Sequence, residues 1–198
     1  MAIARILPNA TASSYWTNVG EGTAHECLDD SNNDTSYIES GTHGNSVILG
    51  LQDLDGADSS DVDNSELLNI TQVQAVIVGR VPARSGGDGT VQIVISEGGG
   101  TSHTENVTLP NYATHQIVTG TARTTAPSSG VQWTYEDITN LTLTLSKVNN
   151  SSPAIRITYA YVAVTYNGGY GHKTGGIKAA RINGVQAANI QKVNGLSK

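Results

Sequence analysis

The residues able to do chemistry are few in kind. The chain of 198 residues holds 17 carboxylates, five histidines (His25, His43, His103, His115, His172) and a single cysteine, Cys27. His25-Glu26-Cys27 looks briefly like the start of a zinc deaminase site, but that site needs a later Pro-Cys-x-x-Cys, and no second cysteine exists. A Cys27–His25 nucleophile pair would need a third group to orient it, and a small buried cysteine is the commoner state. The histidines fall in no His-Glu-x-x-His pattern and no Gly-x-Ser-x-Gly occurs. Gly98-Gly99-Gly100 lacks the Lys-Ser/Thr and the helix of a phosphate cradle. A glycoside hydrolase needs two carboxylates at a set separation, and the spacing of these acids nominates no pair. The expectation is a protein that is not an enzyme, with no catalytic residues and no cofactor.

The densest constellation is Asp53, Asp55, Asp58, Asp61 and Asp63, followed by Glu66. Carboxylates so close could hold Ca²⁺ through oxygen ligands. The spacing departs from an EF-hand, since Gly56 comes too early, so a hydrated acidic loop is the default and calcium the alternative.

Charge is unevenly placed. Residues 1–137 hold all 17 acids and four basic residues (4 − 17 = −13), whereas residues 138–198 hold seven basic residues and no acid (+7). An acidic body with a basic tail points to assembly between copies or docking on an acidic partner; solvated loops are the plain alternative. An acidic body opposes phosphate, so nucleic acid is not an expected partner. No apolar run approaches the roughly 20 residues of a membrane helix, and no secretory leader is read at the start.

The elements around these residues read as strands. Pro153 to Asn167 alternates with a high share of β-branched and aromatic residues, giving one face of Ile155, Ile157, Tyr159, Tyr161 and Ala163 and another of Arg156, Thr158, Ala160, Val162, Val164 and Tyr166. Residues 2–8, 45–51, 67–81, 90–97, 103–109, 113–120 and 140–148 add seven strands, with Leu141, Leu143 and Leu145 inward and Thr142, Thr144 and Ser146 outward. Residues 9–14 read as a turn. Asp88-Gly89 predicts a hairpin joining 67–81 to 90–97. Thr134 is a helix cap with Asp137 at its third position. Trp16 reads as a core or rim anchor, with sugar stacking the alternative. The fold expected is all-β: a jelly-roll-like antiparallel β-sandwich over residues 1–167 with an extended C-terminal arm over 168–198.

The arm carries a repeat. Arg181-Ile182-Asn183-Gly184-Val185 returns as Lys192-Val193-Asn194-Gly195-Leu196, each copy basic, aliphatic, Asn-Gly, aliphatic. Asn-Gly between aliphatics is a hairpin signal, although strand addition to an exposed sheet edge would use the same residues. With Lys178, these are the candidate partner-binding residues. So glycine-rich a segment has too little apolar surface to offset roughly 1–2 kcal/mol of backbone entropy per ordered residue, so it is expected to lie on another surface.

Trp16-Thr17, Gly20, Leu28-Asp29 and Asp34-Thr35-Ser36-Tyr37-Ile38, with Trp133-Thr134, the closing Val162-x-Val164-x-Tyr166 and the Lys-Val-Asn-Gly tail, resemble virion structural proteins of tailed bacteriophages. The resemblance spans most of the chain without a catalytic motif. It implies a β-sandwich that decorates a capsid or builds a neck or minor tail, placed in the virion, with copies of itself and other virion proteins as partners. The alternative is a carbohydrate-binding tail-fibre or receptor-binding module that meets a host surface glycan through exposed Tyr or Trp rings.

Overall fold

The computed structural model describes residues 2–28, 35–54, 69–82, 87–98, 100–111, 114–149, 154–167, 181–182, 185–186, 192–193 and 196–197. The body is a sandwich of two antiparallel sheets. Sheet I is built on β11 (Ile155–Asn167), which pairs along its length with β6 (Asn69–Arg80), and β6 pairs in turn with β9 (Gln116–Thr119). The other edge of β11 is shared end to end. β4 (Tyr37–Ser40) takes residues 155–157 and β1 (Ala2–Ile6) takes residues 162–166, while β3 (Thr17–Val19) lies outside β4. Sheet II has the order β2 (Pro8–Ser14), β5 (Ser46–Leu51), β10 (Thr142–Lys147), β7 (Gly89–Ser96), β8 (Ser102–Leu109). Among the described residues no helix is long and apolar enough to cross a membrane.

The core lies between the sheets. Ile6, Ile38, Ile77, Val162 and Val164 come from one side, and Leu49, Ile93, Ile95, Leu143 and Leu145 from the other. Each such side chain contributes about 1.5–3 kcal/mol on burial. Trp16, which links β2 to β3, is only 5% exposed and donates Nε1–H to Asn45 O at 3.0 Å. This is the anchor expected, and the buried ring cannot stack on a sugar. In the connection from β9 to β10, Trp133 is 2% exposed and donates to Arg123 O at 3.0 Å. The short helix α1 (Tyr135–Thr139) follows with the expected cap: Thr134 Oγ1 accepts from Asp137 N–H, and the Asp137 carboxylate accepts from Thr134 N–H at 2.7 Å.

Three expectations are corrected. Residues 9–14 are not a turn but most of β2, an edge strand that pairs with β5 through two register shifts. Those irregularities, and a run of small polar residues, erase the alternation that marks a strand. Second, β6 and β7 are not a hairpin. They lie in opposite sheets, and β7 pairs with β10 and β8. Gly89 is the buried first residue of β7, where a Cβ would stand 2.7 Å from Ile155 Cγ1 and 2.8 Å from Val81 Cγ2. The glycine is there for close approach rather than to turn the chain.

The third correction concerns β11. Its pairing with β6 shifts register between Ile157 and Tyr159. Thr158 is the extra residue, fully buried, with its hydroxyl donating to Val78 O at 3.3 Å. After this bulge the alternation changes phase. Ile155 and Ile157 face the core before it, and Ala160, Val162, Val164 and Tyr166 after it. Tyr159, Tyr161 and Ala163 therefore leave the face they share with Ile155 on a strict period of two and join Arg156 outside. Gly79 makes room: a Cβ there would meet Arg156 O at 2.4 Å.

In the arm, β12 (Arg181–Ile182) pairs with β13 (Val185–Gln186), and β14 (Lys192–Val193) pairs with β15 (Leu196–Ser197). Each pair brackets one Asn-Gly, so the hairpin reading of the repeat describes these residues.

Candidate functional site

Among the described residues the sequence candidates do not form one site. Asp53 is exposed just beyond β5, whereas Asp55, Asp58, Asp61 and Asp63 lie outside the described residues. Among the described residues no three His, Cys, Asp or Glu side chains gather as a metal cluster. Arg181, Ile182, Val185, Lys192, Val193 and Leu196 sit on the arm strands; Lys178, Asn183, Gly184, Asn194 and Gly195 are outside the described residues.

The His25–Cys27 stretch is a local brace. Glu26 accepts Thr23 N–H at 2.8 Å and Thr23 Oγ1–H at 2.6 Å, starting a single 3-10 turn over Glu26–Leu28. These bonds from Thr23 hold the Glu26 carboxyl below its ordinary pKa, because they favour the charged form. His25 Nδ1 lies 3.0 Å from Thr23 Oγ1 and 3.1 Å from Thr11 Oγ1. Cys27 is buried, its Sγ 3.7 Å from the carbonyls of both Val19 and Glu21. The thiol is thus held among backbone acceptors, with no geometry for attack assisted by His25.

Two charged side chains of sheet II also point inward. Lys147, 1% exposed, donates from Nζ to Gly41 O at 2.8 Å, and burial pulls its pKa below the ordinary value. Glu105 accepts Thr121 N–H at 2.8 Å on both carboxylate oxygens and lies 3.7 Å from the Arg123 guanidinium. Both groups close ends and edges of the sandwich.

The arrangement suited to a ligand is the outer face of sheet I, placed there by the Thr158 bulge. Tyr159 stands across from Val78 and Tyr161 across from Val76. Their ring centroids are 5.2 Å apart, with planes tilted by 47°. Beside these half-buried rings the two valines are each only 4% exposed. Ile117, 72% exposed, stands across from Val78 on the far side, with Thr119 across from Val76.

Polar groups border this apolar strip. The Arg5 guanidinium carbon lies 5.4 Å from the Tyr161 ring centroid. The Arg156 guanidinium carbon lies 4.7 Å from the centroid of Tyr37 and pairs with the Glu39 carboxylate, while Arg80 stands opposite Arg156 on β6. Gln74, across from Ala163, donates to Gly120 O at 2.7 Å, and Gln72 stands across from Thr165. Flat rings beside hydrogen-bonding groups on a rigid sheet can hold a ligand that has both an apolar face and polar edges. Sequence reasoning missed this site because strict alternation puts the tyrosines on the face of Ile155; the one sign was the second face, polar at its start and apolar at its end.

No protein-family model matches the sequence, and no curated protein sequence matches it. Solved structures of similar fold include the CBM36-1 domain of a multidomain xylanase from the hindgut metagenome of Trinervitermes trinervoides, with TM-score 0.44 and 12% identity, covering 84% of this chain and 98% of that one. The CBM22-1 xylan-binding domain of Paenibacillus barcinonensis Xyn10C gives TM-score 0.40 and 14% identity over 83% and 94% of the two chains. A CBM35 in complex with a glucuronic acid containing disaccharide gives 0.39 and 15% over 83% and 93%. These are distant likenesses of β-sandwich architecture.

Proposed function

We propose that the chain is a non-catalytic carbohydrate-binding β-sandwich whose sugar platform is the outer face of sheet I. The observation that carries this reading is the Tyr159–Tyr161 pair, 5.2 Å apart, across from Val78 and Val76 and bordered by Arg5 and Gln74. Sugar rings present C–H faces that pack on aromatic rings and hydroxyls that bond to guanidinium and amide groups. A rigid sheet keeps the entropy cost of binding low. The test is affinity electrophoresis of the full chain through gels containing xylan, mannan, β-glucan or pectin. Retardation by at least one polysaccharide, lost in a Tyr159→Ala/Tyr161→Ala variant that keeps its β-sheet circular dichroism, is the expected result. Free migration through every gel overturns the reading.

A second reading is a structural protein of a tailed-phage particle that assembles through its C-terminal arm. The observation favouring it is the pair of short hairpins at Arg181–Gln186 and Lys192–Ser197, which repeat a basic-aliphatic pattern after an acidic body. Native mass measurement of the full chain beside a version ending at Asn167 tests it. An oligomer present only with the arm supports the reading, and a monomer in both forms removes it. The two roles are compatible in one molecule.

A further inference from the structure

We infer that the glycan held on the outer face of sheet I is anionic, carrying carboxylates or sulfates, and that Arg5 reads its charge. This inference rests on the carbohydrate-binding reading and adds the ligand's chemical class. Its ground is where the charge lies. Residues 1–137 carry 17 acids against four basic residues, so the body is strongly acidic. Yet the strands of sheet I contain three arginines, Arg5, Arg80 and Arg156, and one acid, Glu39. All four stand on the outer face, beside the tyrosines.

The three arginines differ in their neighbours. Arg156 is engaged by Glu39, and its guanidinium carbon lies over the Tyr37 ring. Arg80 stands directly across from Arg156. Arg5 is exposed, across from Ala163, with its guanidinium over Tyr161. A guanidinium held by a ring keeps its fork of donors pre-oriented for a carboxylate or sulfate, and it does so beside the surface on which the sugar would pack. The acidic remainder of the body repels polyanions, so a positive site within it selects by contrast.

The experiment uses two forms of one polymer: polygalacturonate, and the same backbone with its carboxyls methyl-esterified. Affinity electrophoresis of the full chain is run against each at low and at moderate salt. Polygalacturonate is expected to bind at least tenfold more tightly, with the gap narrowing as salt rises. In Arg5→Gln the preference falls to near unity, and Arg5→Lys restores part of it. Thermal melting and circular dichroism confirm that both variants are folded.

Equal binding of the two polymers, or an Arg5→Gln variant that keeps its preference, overturns the inference and leaves the carbohydrate reading standing. Binding to neutral polysaccharides alone does the same. Failure to bind any polysaccharide overturns both. An acidic surface on a second copy is the competing occupant. Self-association at low salt that disappears in Arg5→Gln, without any polyanion preference, would assign the arginine to that contact instead.

Discussion

Across sheet II the outward rows run Ile48–Thr144–Val94–Thr104 and Ser46–Ser146–Gln92–Asn106. Across sheet I they run Tyr161–Val76–Thr119 and Tyr159–Val78–Ile117, with Arg5 over the first ring. The first face is a carpet of hydroxyls, amides and small aliphatics. Its sheet has two charged residues, Lys147 and Glu105, and both turn inward. The second face gathers three tyrosines and three arginines. Both sheets enclose one core and share its demand for inward aliphatics, so the contrast is not a by-product of folding. Thr and Ser at outward strand positions satisfy β-propensity and hydration at little cost. Aromatic rings and paired guanidiniums outside a sheet add nothing the core requires, and they are the surface of choice for recognition.

The contrast rests on the bulge at Thr158, so the largest effect is expected from crowding it. Gly79→Val would place a Cβ 2.4 Å from Arg156 O, where the bulged pairing leaves no room. The expected outcome is a large fall in Tm or an absent cooperative melt. A Gly79→Val variant that melts like the parent would mean the close approach at the bulge does not set the faces. Next in size is the Tyr159→Ala/Tyr161→Ala pair, expected to weaken polysaccharide binding more than tenfold, about 1.4 kcal/mol or more. Thr144→Ala/Gln92→Ala on the opposite face should leave binding within twofold. Equal losses on the two faces would erase the distinction.

Two further substitutions sharpen the comparison by changing stability while touching neither face. Lys147 is buried with its pKa below 10.5, so the unfolded chain holds the proton more strongly. Native stability from this group therefore rises with pH between the folded pKa and 10.5. Lys147→Met is expected to raise Tm by a few degrees at neutral pH, with the gain shrinking as pH climbs toward 10.5; Gly41 is exposed, and water replaces its lost donor. The smallest effect belongs to Glu26, whose carboxyl the Thr23 bonds hold below 4.5. Its stabilisation is present above 4.5 and disappears as pH falls through the folded pKa, so Glu26→Gln should lower Tm slightly at pH 7 and match the parent in acid. Both variants should bind polysaccharide as the parent does.

Much of this was legible in the residues, for reasons that also explain the rest. The inward Leu143 and Leu145, the buried Cys27 and Trp16, the Thr134 cap and the Asn-Gly hairpins are signals confined to a few neighbours in sequence. The register of β11 is set by Gly79 and Val78, about 80 positions earlier, and no period within 155–167 reports it. Asp88-Gly89 misled because a glycine needed for close approach between sheets is spelled like a glycine needed for a turn. The platform was hidden for the same reason as the bulge: its two tyrosines share β11, but Val76, Val78 and the arginines of β1 and β6 join them only across strands.

The most direct test is an amide ¹H–¹⁵N chemical-shift titration of the full chain with an oligosaccharide of whichever polymer retards it in gels. Shifts concentrated at residues 3–5, 72–78 and 159–165, with the amides of β10 and β7 unmoved, are the result predicted. Shifts centred on Thr144, Gln92 and their neighbours, or spread evenly over both sheets, would contradict a binding face on sheet I.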